Sequence, residues 1–99
     1  MFMRISWGRI REGGWMDYEG RYKKLAEANV AQGGPKRRWL VRDIDEPDAG
    51  FAISLFDTED EMRNWANDPE ARERVKKEMA DLYVGDYRVR NCEVRYQTG

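Results

Sequence analysis

A chain of 99 residues with 18 Lys+Arg, 19 Asp+Glu and a net charge of −1 suits one domain and lacks the basic excess usual in nucleic-acid binding. Its 40% hydrophobic and 12% aromatic residues argue for a real core and against disorder, while 37% charged residues give a well-solvated surface. It has no histidine and a single cysteine, Cys92, which excludes Ser-His-Asp and Cys-His catalysis, histidine-based zinc or haem sites, a thiolate metal site and an intramolecular disulfide.

Residues 2–10 alternate, with Met3, Ile5 and Trp7 on one side and Arg4, Ser6 and Gly8 on the other, which predicts a strand. Arginines interrupt every apolar run here, so neither a signal peptide nor a membrane span is expected, and the expected location is cytoplasmic. Gly13-Gly14 breaks the alternation, and from Trp15 the spacing becomes helical: Trp15, Tyr18, Tyr22, Leu25 and Ala26 share one face. Gly33-Gly34-Pro35 is expected to end that helix. Residues 37–44 and 50–56 read as two strands joined by the polar turn Asp45-Glu46-Pro47-Asp48-Ala49.

Thr58-Glu59-Asp60-Glu61 is a capping box that opens a second helical segment. Asn67-Asp68-Pro69 is expected to break this segment, with Asp68 capping the restart and Pro69 in its first turn. Val75, Met79 and Leu82 carry the apolar face onward. Gly85-Asp86 reads as a turn, and residues 87–96 as the last strand. The order β-α-β-β-α-β is the split β-α-β signature, which predicts an α+β, ferredoxin-like domain spanning 1–99, with a four-stranded antiparallel sheet and helices on one face.

Several constellations have plain readings. Asp43, Asp45 and Asp48 lack the ligands a calcium loop needs where Pro47 and Ser54 stand, so they read as a solvated turn and no metal is expected. Asp57, Glu59, Asp60 and Glu61 complement a helix dipole. Gly8, Gly13 and Gly14 lack the spacing and the Lys-Ser/Thr of a phosphate loop.

The Gly13-Gly14 turn before an amphipathic helix, the Gly33-Gly34-Pro35 break, and above all the stretch from Phe51 to Trp65, a strand running straight into a capped helix, resemble the dimeric α/β-barrel proteins, in particular the antibiotic-biosynthesis-monooxygenase-like group. The resemblance spans nearly the whole chain. It implies a ferredoxin-like protomer, two sheets packed face to face in a homodimer, and a cavity within the barrel or between sheet and helices. The group includes cofactor-independent oxygenases acting on aromatic polyketides and haem-degrading enzymes. Haem-degrading members use an axial histidine, which this chain lacks. Ser54-Leu55-Phe56 stands where many members carry an acidic residue, a spacer and a tryptophan.

What the resemblance implies, joined to the aromatic content, is a cofactor-independent monooxygenase-like enzyme acting on a small phenolic or quinone-forming molecule. The alternative is a non-catalytic ligand-binding or assembly module on the same fold. Most aromatics are expected in core and dimer packing, and a subset in a pocket. The candidate ligand-binding residues are Tyr18, Tyr22 and Ser54 as hydrogen-bonding groups, Arg42 or Arg90 for an anion, and Trp39, Phe56 and Trp65 as walls. No cofactor, nucleic acid or membrane partner is expected. Phe51, Ile53 and Leu55 are expected to face the helices, and Ala52, Ser54 and Phe56, with Arg4 and Ser6, a second sheet. Apolar residues on both sides of this strand predict that a second copy covers the open face.

Overall fold

The computed structural model describes residues 1–30 and 34–99. Its elements are β1 (Phe2–Ile10), α1 (Trp15–Val30), β2 (Arg37–Arg42), β3 (Ala49–Phe56), α2 (Glu59–Ala66), α3 (Pro69–Met79) and β4 (Tyr83–Glu93). The four strands form one sheet in the order β2-β3-β1-β4, with antiparallel pairing throughout. This is the split β-α-β arrangement that the order of periodicities predicts. Of the Gly33-Gly34-Pro35 break, Gly33 lies outside the described residues.

The predicted break in the second helical segment is present, and its caps explain it. Thr58 has an extended backbone, and its Oγ1 accepts from the Glu61 amide at 3.1 Å, opening α2. Asp68 then accepts from the Glu70 and Ala71 amides, and Pro69 begins α3 where its missing N–H costs nothing.

Two expectations need correction. β4 begins at Tyr83, and Gly85-Asp86 is an irregularity inside the strand, not a turn before it. Arg9 pairs with Val84 but Trp7 with Arg88, so β4 carries two more residues than β1 across this step. Gly85, at φ 72°, absorbs the excess as a bulge. The sheet also faces the other way. Register places Arg4, Ser54 and Arg38 side by side on one face, with Ser6, Ala52 and Leu40 in the next row. This face, not that of Phe51, Ile53 and Leu55, lies under the helices. Alternation groups the residues of a face but does not say which face the helices cover. The size of the side chains decides it here. Gly50 leaves no room for a side chain: a Cβ would run into the Val41 carbonyl oxygen and stand 2.6 Å from Cη2 of the Trp15 ring that lies on it.

The helix layer is packed at both ends. At one, Ile10, Trp15, Tyr18, Met79 and Leu82 form the buried core cluster. At the other, Phe56 and Met62 are 2% and 1% exposed, where α2 rests on β1 and β3. The opposite face of the sheet bears Met3, Ile5, Trp7, Phe51 and Ile53, with Trp39 and Val41 on β2, and no element of this chain covers it among the described residues.

Candidate functional site

Between the two packed ends the helices stand off the sheet and leave a cavity of about 390 Å³. The sequence makes this space with small side chains. Ala26 on α1, Ala66 on α2, Ala71 on α3 and Ala80 at its C-cap line it where larger residues would fill it. Tyr18 and Tyr22 stand one helical turn apart on α1 and, with Trp65, form its walls. Tyr83 and Tyr87 close it from β4. Tyr18 and Tyr83 meet edge to face at 5.8 Å between centroids, and Tyr83 and Tyr87 do so at 5.3 Å.

Burial first, and then neighbouring phenols, hold the Tyr18 hydroxyl far above its ordinary pKa. Burial also raises Tyr22, against the opposing pull of Arg38 and Arg4, and raises Tyr83. These phenols therefore remain protonated at neutral pH and can donate a hydrogen bond to an anionic oxygen.

The floor is cationic. Arg4 on β1 and Arg38 on β2 flank Ser54 in one cross-strand row, and both side chains line the cavity. The Nε atoms of both are buried without a hydrogen-bond partner. The Arg38 guanidinium stacks on Trp65 at 4.9 Å. Burial pushes the Arg38 pKa down, with Tyr22 opposing and Arg4 adding to the fall. No Asp or Glu is among the described lining residues. Several arginines elsewhere are answered by acids: Arg9 pairs with Glu46 at 2.9 Å, Arg63 with Glu59 at 2.9 Å, and Arg21 with Asp17 and Asp81.

Of the residues singled out by sequence, Tyr18, Tyr22 and Trp65 line the cavity. Ser54 is buried beneath it between Arg4 and Arg38, and Phe56 is buried under α2 beyond its end. Arg42 lies away from it: its Nε donates to the Pro47 carbonyl at 2.6 Å and its guanidinium covers Trp15 at 5.5 Å. Trp39 and Arg90 fall on the open face, opposite Ile53 and Ile5 respectively. Sequence reasoning missed Arg38, Tyr83 and Tyr87 as site residues. Arg38 was legible only through register, since it shares a row with Ser54, and the two tyrosines lay on either side of a presumed turn.

The site does not suit a histidine-ligated haem, because the chain has no histidine and the single cysteine is absent from the lining.

The same fold occurs in known structures. A mutant of SnoaB, a cofactor-independent oxygenase from Streptomyces nogalater, superposes with a TM-score of 0.78 at 17% identity, covering 97% of this chain and 94% of that one. An antibiotic biosynthesis monooxygenase matches with a TM-score of 0.75 at 15% identity, covering 95% of this chain and 98% of that one. The haem-degrader MhuD from Mycobacterium tuberculosis, with two haems in its active site, gives 0.79 at 18% identity over 100% of both chains. The chain thus has the fold of the antibiotic-biosynthesis-monooxygenase-like proteins. No protein-family model and no curated protein sequence matches it. No helix among the described residues is long and apolar enough to cross a membrane.

Proposed function

We propose that the cavity binds a small, electron-rich phenolic or anthrone-type aromatic and promotes its reaction with molecular oxygen without a cofactor. The observation that carries this reading is the pair of buried, unanswered guanidinium Nε atoms of Arg4 and Arg38 beneath aromatic walls. Such chemistry needs the substrate as an anion. Among the described lining residues no carboxylate or imidazole is present to take its proton, so the cationic floor acts indirectly, by stabilising the anion and letting the proton pass to water. The flat substrate lies against Tyr22 and Trp65, Arg4 and Arg38 hold its oxyanion, and a protonated tyrosine donates to it. For an anthrone the balance is one substrate CH2 and one O2 giving one C=O and one water. SnoaB, of the same fold, is a cofactor-independent oxygenase, which supports the reaction class.

The same reading makes the protein a cytoplasmic homodimer. An open face bearing Trp7, Phe51, Ile53, Trp39 and Val41, the last two 40% and 42% exposed, is a large apolar surface for a soluble monomer. A second copy packed sheet to sheet covers it.

Oxygen consumption with anthrone and tryptophan quenching by 2-naphthol test the reading together. Uptake of one O2 per anthrone with saturable quenching is the expected result. Quenching without uptake turns the reading to a non-catalytic binding module, which the absence of a general base favours. The absence of both signals overturns it.

A further inference from the structure

The cationic floor is not the only set of positive charges without acids around this cavity. Arg72 and Lys76 line it from α3, one helical turn apart, and both are exposed. Like charges four residues apart on one helix face repel, a mildly destabilising arrangement. No hydrogen bond or ion pair joins either side chain to an acid among the described residues, and both turn to the same cavity. The cavity thus has two cationic groupings, one half-buried at the sheet and one open on the helix side, with aromatic walls and no acid among the described lining residues. A chain of net charge −1 has acids enough to neutralise them, yet none is among the described lining residues.

We infer that the ligand is an aromatic with two acidic groups: an oxyanion that reaches Arg4 and Arg38, and a second, permanently ionised carboxylate that Arg72 and Lys76 hold at the mouth. The two groupings divide the work. Arg4 and Arg38, poor in water, bind the group whose charge forms in the site. Arg72 and Lys76, in solvent, bind a group already charged, draw it in from solution, and fix which end of the ring enters first. The ligand class is therefore a hydroxyaryl carboxylic acid, with hydroxyl and carboxylate at opposite ends of a flat ring system. The inference rests on the reading of the cavity as an aromatic site, and narrows it.

The test compares 6-hydroxy-2-naphthoic acid with 2-naphthol, which lacks only the carboxylate, by quenching of tryptophan fluorescence. The acid is expected to bind about tenfold more tightly, as charge-assisted hydrogen bonds to one added carboxylate allow. The advantage should shrink as salt rises. In the double variant Arg72→Gln, Lys76→Gln, whose altered side chains are exposed, the preference should fall to near unity. Equal affinities in the unaltered protein, or a preference that survives the double variant, would overturn the inference while leaving the aromatic site standing. Failure of both compounds to bind would overturn the site reading and the inference with it.

Discussion

In the middle of the sheet, between its two packed ends, the two faces reverse the usual division. Between the packed Ile10 and Phe56 ends, the face covered by helices carries glycine, serine and alanine with Arg4, Arg38 and Arg42, whereas the uncovered face carries Met3, Ile5, Trp7, Phe51 and Ile53, with Arg88 and Arg90 at its β4 edge. In a plain α+β domain the covered face is the oily one. Here the helices sit partly over a polar floor and enclose space, while the apolar side lies bare in the single chain. Burial and function have been assigned to different faces. The covered face is arranged to hold a ligand, and the bare face to meet another protein surface.

The largest expected effect breaks the bare side. Ile53→Asp, placing a charge in the middle of that face, should turn a dimer into monomers at micromolar concentration, because the charge would be buried without a partner. Light scattering reads this directly, and one-chain mass in the unaltered protein would remove the contrast between the faces. On the covered side, Arg38→Gln should weaken binding of 6-hydroxy-2-naphthoic acid about tenfold, the loss of a charge-assisted contact. The denaturation midpoint should not fall, since the variant removes a cation that burial disfavours and no acid answers. Arg21→Ala is the counter-case. Arg21 ties Asp17 to Asp81 and donates to the Glu78 carbonyl, so its loss should lower the midpoint and leave binding alone.

A smaller effect comes from the buried phenols. Tyr18, Tyr22 and Tyr83 are all held above their ordinary value of 10.0. In the unfolded chain they ionise near that pH, while in the folded chain they keep their protons. The unfolded state then binds fewer protons, so the stability they contribute is full below about pH 10 and falls as pH rises past it. Urea midpoints taken between pH 8 and 11 should show the fall, and Tyr18→Phe should flatten it. Smallest is Thr58→Ala, which removes the cap of the helix that presents Trp65. It should cost about 1 kcal/mol in urea unfolding.

Much of this could be seen in the sequence, and the gaps have physical causes. Period-two and helical spacings located the strands and helices, and the Thr58 and Asp68 caps marked where α2 and α3 start. Alternation also sorted Arg4 with Ser6, and Ala52 with Ser54, onto common faces. It could not tell which face the helices would cover, since that depends on the hand of the connections and on Trp15 needing a glycine beneath it. That reversal put Trp39 on the surface away from the cavity, while Arg90 failed through the register of β4, which sets it beside Ile5 and out of the row of Ser54. Arg42 failed for another reason: its position on the covered face was readable, but its engagement with Pro47 and Trp15 was not.

The bulge at Gly85 bears on how this fold tolerates changes of length. It adds two residues to β4 opposite β1, an even number, so the strand leaves the irregularity with the same sides up and down as it entered. Loss of one residue there would turn over everything from Arg88 to Glu93, moving Val89 and Asn91 to the bare side and Arg88, Arg90 and Cys92 beneath the helices. Loss of the pair Gly85-Asp86 would keep the parity and straighten the ladder, but would change the spacing that lets Tyr83 and Tyr87 both crowd over Gly8. Insertions and deletions in relatives of this chain should therefore come in twos at this point, with the tyrosine pair changing whenever they do.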